Sequence, residues 1–234
     1  MFGSLAAAVV AGRAVPLQVA VDPLVFVVVA FSVFLLAAVV APLLLLSIRE
    51  TREPTVEERE RLAVLTEMTD YDPKTVEVVE TVGEHSIEVS IRGPPGRRSL
   101  VVSDYVLSEL DAETAAALVA AEVGRSRRLY LEYRGLAAAT VIAIATGMFG
   151  GLVSFSDGLF VLAVAALTLF WVGRRLQFSA DRLAADTVGA DSLATAFETV
   201  ARVRGVEPKT ATWRTYFEVQ PPLGQRIDRL RDRS

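Results

Sequence analysis

The chain alternates between long uncharged stretches and charged segments with helical or strand periodicity. The run from residue 24 to residue 48 carries no charge and is longer than the roughly 20 residues that a helix needs to cross a bilayer. It therefore predicts a transmembrane helix. Residues 1–20 are also apolar, but Arg13 and Pro16 interrupt them, and the pattern leaves open whether they enter the membrane.

A second pair of uncharged runs covers residues 135–153 and 158–172, with a short polar turn between them. Arginines flank both outer ends of the pair, whereas the turn has none. Arginines also follow the first run, at Arg49 and Arg52. By the positive-inside rule, this distribution predicts a transmembrane hairpin whose outer ends lie in the cytoplasm.

The remaining segments predict a cytoplasmic α+β domain. Residues 54–69 read as an amphipathic helix with Leu62, Leu65 and Met68 as its apolar positions. Residues 76–82, 87–91 and 100–102 alternate between apolar and polar side chains around a Gly/Pro turn at 93–96, which predicts a small antiparallel sheet. Further helices are expected at 174–187, from an N-cap at Asp191 to Arg204 with Gly205 as the stop, and after Pro221 and Pro222.

The expected fold is thus a mainly α membrane protein with a cytoplasmic α+β domain in two parts. Residues 1–48 form an N-terminal anchor and residues 49–134 the first part of the domain. Residues 135–173 form the hairpin, and residues 174–234 complete the domain. This arrangement predicts a multi-pass protein of the cell membrane with its soluble domain on the cytoplasmic side.

Composition removes several classes of site. The 234 residues include no cysteine, which excludes disulfides and thiolate metal sites, and a single histidine, His85, which excludes any site that needs two imidazoles. Hydrophobic residues make up 52% of the chain, too many for an ordinary soluble domain. The net charge of -4 gives no indication of nucleic-acid binding.

Candidate chemistry begins in a long Ala-rich helix for which Asp111 is the predicted N-cap. One segment of this helix has the frame of a zinc-peptidase motif and reads Ala121-Glu122-Val123-Gly124-Arg125. In His-Glu-x-x-His, two imidazoles four residues apart hold Zn²⁺ and the Glu is the general base. Here the Glu is kept and both histidines are replaced.

Two later segments also match a known pattern except at one functional position. Residues 174–185 match Arg-x-x-Glu-Phe-x-Ala-Asp-x-x-Ala except that Gln177 replaces the Glu. Residues 220–230 match His-Pro-Pro-Leu-x-x-Arg-Ile-x-x-Leu except that Gln220 replaces the His. Together with the helix and the hairpin, these segments resemble the HtpX/CAAX-prenyl-protease family of integral-membrane zinc metallopeptidases. The resemblance covers about residues 50–232 and implies that family's peptidase fold, zinc cofactor and endopeptidase activity.

The replaced residues predict that this chemistry is lost. In the family, the positions of Ala121, Arg125 and Gln177 carry the zinc ligands, and a catalytic zinc needs three protein ligands plus an open position for water. Without the metal, Glu122 has no activated water to deprotonate. The expectation is therefore no bound cofactor, with Glu122 as an inactive remnant of the general base.

Other cleft residues have a functional and a structural interpretation. Arg125 is hypothesised to occupy the space of the metal and to balance Glu122 and Asp181. Asp181 is otherwise a structural polar contact, and His85 is either a cleft residue beside an edge strand or a surface residue. The arginines in 125–134 either bind lipid headgroups or only orient the hairpin.

Three functions follow from these alternatives. The first is an inactive peptidase homologue that acts as an interaction or regulatory module at the membrane. Its partners would be the lipid bilayer and a polypeptide or an active relative. The second is an active membrane zinc endopeptidase, and the third is a structural membrane protein without a ligand.

Overall fold

The computed structural model describes residues 51–81, 86–205 and 221–233, together with helical positions at 25–27, 29–31, 33–34 and 37. The predicted transmembrane helix at 24–48 is described only at those last positions. Residues 1–20, His85 and Gln220 lie outside the described residues, so their predicted roles stay predictions.

The described chain is mostly helical, with one small sheet. Its strands are β1 (Thr51–Arg52), β2 (Thr75–Val79), β3 (Val89–Arg92) and β4 (Ser99–Ser103). Its helices are α1 (Val56–Thr69), α2 (Asp104–Glu109), α3 (Ala112–Arg127), α4 (Tyr130–Phe149), α5 (Phe155–Val188), α6 (Ala190–Val203) and α7 (Leu223–Arg231).

Local capping chemistry fixes several helix ends. Thr55 and Glu58 form a reciprocal capping box at the start of α1. The Asp111 carboxylate accepts a hydrogen bond from Thr114 N at 2.8 Å, which confirms the predicted N-cap of α3. The start of α6 differs from the prediction, because Gly189 is the cap and Asp191 lies in the first turn. Gly205, which has φ +62°, follows the end of α6 as expected.

The sheet is mixed, and the prediction of an antiparallel sheet was wrong for one pair. The strand order is β1-β2-β4-β3, with β2 and β4 parallel and the two outer pairs antiparallel. Alternation reveals strands but not their direction, and the sequence between β2 and β3 has no Gly/Pro turn like that at 93–96. The turn that does set a direction is at Gly93, where φ is +98° and an added Cβ would lie 2.4 Å from Arg97 O. It joins β3 to β4 and leaves β3 at the sheet edge.

Helix α3 is the centre of the packing. It contacts α1, α5, α6 and β3, and its alanines from Ala115 to Ala121 are almost fully buried because small side chains let these neighbours approach closely. The closest approach is at Gly124, where an added Cβ would lie 2.4 Å from Ala180 O of α5. A glycine at this position therefore sets the distance between the two helices that carry the candidate site.

Helices α4 and α5 cover the residues of the predicted transmembrane hairpin and pack against each other. α5 continues unbroken to Val188, so the predicted separate helix at 174–187 is its second half. Within the described residues, α5 is the one helix long and apolar enough to cross a membrane, and only 6% of its most apolar 18-residue window is buried. Phe160 and Trp171 expose 71% and 60% of their surface. This pattern is unlike the buried core helix of a soluble domain. On α1, Leu62 and Leu65 are buried but Met68 is exposed.

Candidate functional site

The crossing of α3 and α5 brings the predicted site residues of both helices together. Glu122 and Arg125, one turn apart on α3, form an ion pair in which Arg125 Nη1 lies 2.5 Å from Glu122 Oε1. Their side chains are 18% and 26% exposed. Arg125 Nε is buried and has no hydrogen-bond partner in the described part of the chain. The expected contact between Arg125 and Glu122 is thus present.

Burial raises the pKa of Glu122 above its ordinary value, because the charged carboxylate loses water. The positive charges of Arg125 and Arg226 oppose the increase in this pKa, and the negative charge of Asp181 adds to it. The Glu122 carboxylate is therefore poorly solvated, and Arg125 offsets part of the resulting cost.

Asp181 is held by a different arginine from the one expected. Arg226 of α7 donates from Nε to Asp181 Oδ2 at 2.8 Å and from Nη2 to Oδ1 at 2.7 Å. Gln177 Nε2 donates to the same Oδ1 at 2.9 Å. Asp181 and Gln177 are 4% and 1% exposed. Arg125 therefore balances Glu122 alone, and the hypothesis that it also balances Asp181 was wrong.

Arg226 is the site residue that sequence reasoning overlooked. Its guanidinium also lies over the ring of Phe197, 4.2 Å from the ring centroid. Arg226 belongs to the closing segment from which the family resemblance was drawn, so its match to the family pattern was the available signal. Its partner was not predictable, because Asp181 lies 45 residues earlier in the chain.

A cavity of about 410 Å³ opens beside the Glu122–Arg125 pair. Arg204, after the end of α6, helps to close it by donating to Ile87 O at 3.0 Å. We call this cavity the cleft. It is lined by Ile87, Val89, Leu118, Ala121, Glu122, Arg125, Phe197, Val200, Arg204, Pro221, Pro222, Leu223 and Arg226.

Among the described residues, no strand pairs with the outer edge of β3, which lies at the cleft. Glu88 O accepts from Ser103 N at 2.8 Å, which makes that pair hydrogen-bonded in the antiparallel ladder of β3 and β4. The alternation of such a ladder then turns the N–H and C=O of Val89 and Ile91 away from β4. Val89 also lines the cleft. An extended chain could therefore pair with β3 there.

The side chains at the positions that the sequence resemblance assigns to zinc ligands do not fit a zinc ion. Ala121 has no donor atom and Arg125 carries a positive charge. Gln177 uses its amide N–H on Asp181, and an amide oxygen is a weaker ligand than the carboxylate it replaces. The nearby carboxylates of Glu122 and Asp181 are already paired with guanidinium groups. Among the described residues, no three His, Cys, Asp or Glu side chains are grouped to hold a metal ion.

Neither a protein-family model nor a curated protein matches the chain. A search of solved structures does find similarity. The crystal structure of Ste24p from S. mikatae, a CAAX prenyl protease of the zinc metalloprotease family, aligns with a TM-score of 0.63 at 15% sequence identity. The chain has a membrane metallopeptidase-like fold. The alignment covers 87% of this chain but 56% of Ste24p, so the chain spans about half the length of this neighbour.

Within this metallopeptidase-like fold, Arg226→Met is expected to destabilise the protein by about 3–5 kcal/mol, since it leaves the Asp181 carboxylate buried without a cation. Arg233→Met is the matched control. It breaks an ion pair with Asp186 whose side chains are 43% and 58% exposed, which contributes at most about 1 kcal/mol. Thermal unfolding in detergent, followed by circular dichroism, measures both. Equal effects of the two substitutions would contradict a structural role for the buried pair.

Arg125→Ala is expected to reduce stability by about 1–2 kcal/mol near neutral pH, because Glu122 then lacks its nearest cation. When the pKa of a carboxyl group is higher in the folded than in the unfolded state, the folded state binds more protons. The loss of folding stability caused by that group therefore grows as pH rises above the unfolded pKa. The stability lost in Arg125→Ala should therefore increase from about pH 5 to about pH 8.

The double variant Arg125→Ala/Glu122→Gln removes the titrating group, so its stability deficit should vary little with pH. Unchanged thermal stability of Arg125→Ala over the same range would show that the ion pair does not support the cleft.

Proposed function

We propose that the protein is a membrane-embedded homologue of zinc metallopeptidases that has lost zinc binding and proteolysis. It acts as an interaction or regulatory module at the membrane, with a polypeptide or an active relative as its partner. The observation that carries this proposal is the ion pair between Arg125 and Glu122. At the position where the family has a zinc ligand, a guanidinium is paired with the retained Glu.

The proposed membrane placement has both hairpin helices crossing the bilayer and the described residues from 51 onward that lie outside the hairpin in the cytoplasm. Supporting it are the outward-facing apolar side chains of α5 and the charges at the outer ends of the hairpin. Arg128 and Arg134 lie at the start of α4, and Arg174 and Arg175 follow the apolar part of α5. The N-terminal run at 24–48 adds a further crossing in this arrangement.

The proposed ligand of the cleft is an extended polypeptide. The outer edge of β3, which no other described strand covers, offers main-chain hydrogen bonds that stabilise an added strand of any sequence. Beside it, Leu118 and Phe197 provide apolar walls, and Arg204 provides a positive charge near the opening. This combination favours a peptide binder over a membrane protein without a ligand.

Loss of the zinc site is tested with the purified full chain in detergent. We expect zinc well below one equivalent per chain by mass spectrometry and no cleavage of casein, because the residues at the ligand positions do not supply three zinc donors. The restoring variant Ala121→His/Arg125→His/Gln177→Glu should bind about one equivalent, since it supplies the three zinc donors of the family pattern on the neighbouring helices α3 and α5.

Stoichiometric zinc together with casein cleavage in the unaltered protein would establish the active endopeptidase instead. A restoring variant that folds but gains no zinc would show that these three positions are not the former ligand positions.

Peptide binding is tested with a photo-crosslinking amino acid at Val200, which lines the cleft. Reduced, carboxymethylated casein should crosslink there at least about fivefold more than to the same probe at Met68, an exposed position on α1. Val89→Pro should lower the Val200 signal, because it removes one outward N–H of β3. No excess of crosslinking at Val200 would favour the structural protein without a ligand.

A further inference from the structure

A second cavity, of about 220 Å³, lies between α5 and α7 and shares only Arg226 with the cleft wall. We call it the arginine pocket. Four arginines and two aspartates contribute to its lining, together with one aromatic ring. The lining residues are Phe178, Asp181, Arg182, Arg226, Arg229, Leu230, Asp232 and Arg233.

The arginines of this pocket are not equally available. Arg226 is already paired with the Asp181 carboxylate, and Arg233 Nη2 lies 3.2 Å from Asp186 Oδ1. Within the described part of the chain, Arg182 and Arg229 have no carboxylate partner. Asp232 offsets one of their charges. The pocket therefore keeps a net positive charge on the guanidinium groups of Arg182 and Arg229, and such groups prefer planar or tetrahedral oxyanions as ligands.

Arg229 is held in place by an aromatic ring. Its guanidinium lies over Phe178 at 3.8 Å from the ring centroid. Stacking fixes the plane of the guanidinium while its outward N–H groups stay free to donate. Such an arrangement reduces the entropy that an arginine loses when it binds an anion.

The pocket continues a stripe that begins on the apolar part of α5. Trp171, Arg175, Phe178 and Arg182 follow at helical spacing and share one face. Arg175 lies over the Trp171 ring, 4.9 Å from its centroid. The stripe thus passes from an exposed interfacial aromatic residue directly to the arginine pocket.

The pocket lies just beyond the lipid headgroup region, measured along α5 from the end of the apolar run. At a rise of about 1.5 Å per residue, Phe178 is about 9 Å and Arg182 about 15 Å beyond Val172, where the uncharged run ends. The headgroup region is about 5–8 Å deep. Helical side chains lean toward the N-terminus, which on α5 is the membrane side, so Arg175 and Arg182 reach back toward that layer.

We infer that the arginine pocket binds the phosphate group of an anionic phospholipid, with Arg182 and Arg229 as donors. The acyl chains then lie along Trp171 and the exposed apolar face of α5. This site rests on the membrane placement of α5 proposed above, but not on the loss of zinc or on peptide binding. It gives the cytoplasmic domain a fixed orientation against the bilayer.

The test is native mass spectrometry of the full chain in detergent, titrated with dioleoyl phosphatidylglycerol or dioleoyl phosphatidylcholine. Phosphatidylglycerol should bind more tightly. Each interfacial arginine contributes about fivefold to anionic-lipid binding, so Arg182→Gln/Arg229→Gln should weaken phosphatidylglycerol binding about 25-fold. Both side chains are exposed, so the variant should keep its circular dichroism spectrum.

Two further pairs of exposed arginines serve as controls, because each removes the same net charge elsewhere. Arg97→Gln/Arg202→Gln should change binding less than about threefold, since screened distant charges contribute little. A loss in Arg128→Gln/Arg134→Gln as large as in the pocket variant would assign the effect to the basic hairpin end and overturn the proposal.

Two other outcomes also decide the question. Glycerol 3-phosphate that binds as tightly as the lipid would assign the pocket to a soluble phosphate and overturn the lipid. Equal affinity for the two lipids would overturn the anionic site. Neither result depends on zinc content, casein cleavage or peptide crosslinking, so failure here is separable from failure of the proposed function.

Discussion

The buried carboxylate of Asp181 is the constraint on which the site depends. A charged carboxylate at 4% exposure is stable only if hydrogen bonds and a nearby cation replace its lost water. Arg226 supplies both through two hydrogen bonds, and Gln177 adds a third. Because Arg226 belongs to α7, the same contact fastens the last described helix to α5. The charge balance of Asp181 and the attachment of α7 to α5 therefore depend on the same contact.

The residues at the positions that the resemblance assigns to zinc ligands follow the same logic. A buried carboxylate without a metal ion beside it needs another positive charge or hydrogen-bond donor. Arg125 lies beside Glu122, and Gln177 has the shape of a Glu but donates to Asp181, which a Glu carboxylate would repel. Neither side chain is a strong zinc donor, and both lower the electrostatic cost of a cleft without metal. This combination is why we favour a maintained cleft over a decayed one.

The sequence predicted the helices and strands far better than the long-range contacts between them. Capping at Thr55 and Asp111 and the turn at Gly93 act within a few residues, so the corresponding starts and turns were readable. The parallel pairing of β2 with β4 and the contact of Arg226 with Asp181 join distant segments, and no local pattern carries that information. The site helices were located from motif resemblance, but the assignment of Arg125 to both carboxylates failed because α7 supplies a second arginine.

Gly124 connects the backbone packing of α3 and α5 with the charged residues of the site. Its missing Cβ lets α3 approach the backbone of Ala180, one residue from Asp181 and one turn from Gln177. A larger residue would separate the helices and open water access to the buried carboxylate, which would weaken its dependence on Arg226. In the sequence Gly124 is only one of the variable positions of the motif frame. In the structure its close approach to Ala180 lets the Glu122–Arg125 pair lie near the Asp181–Arg226 pair.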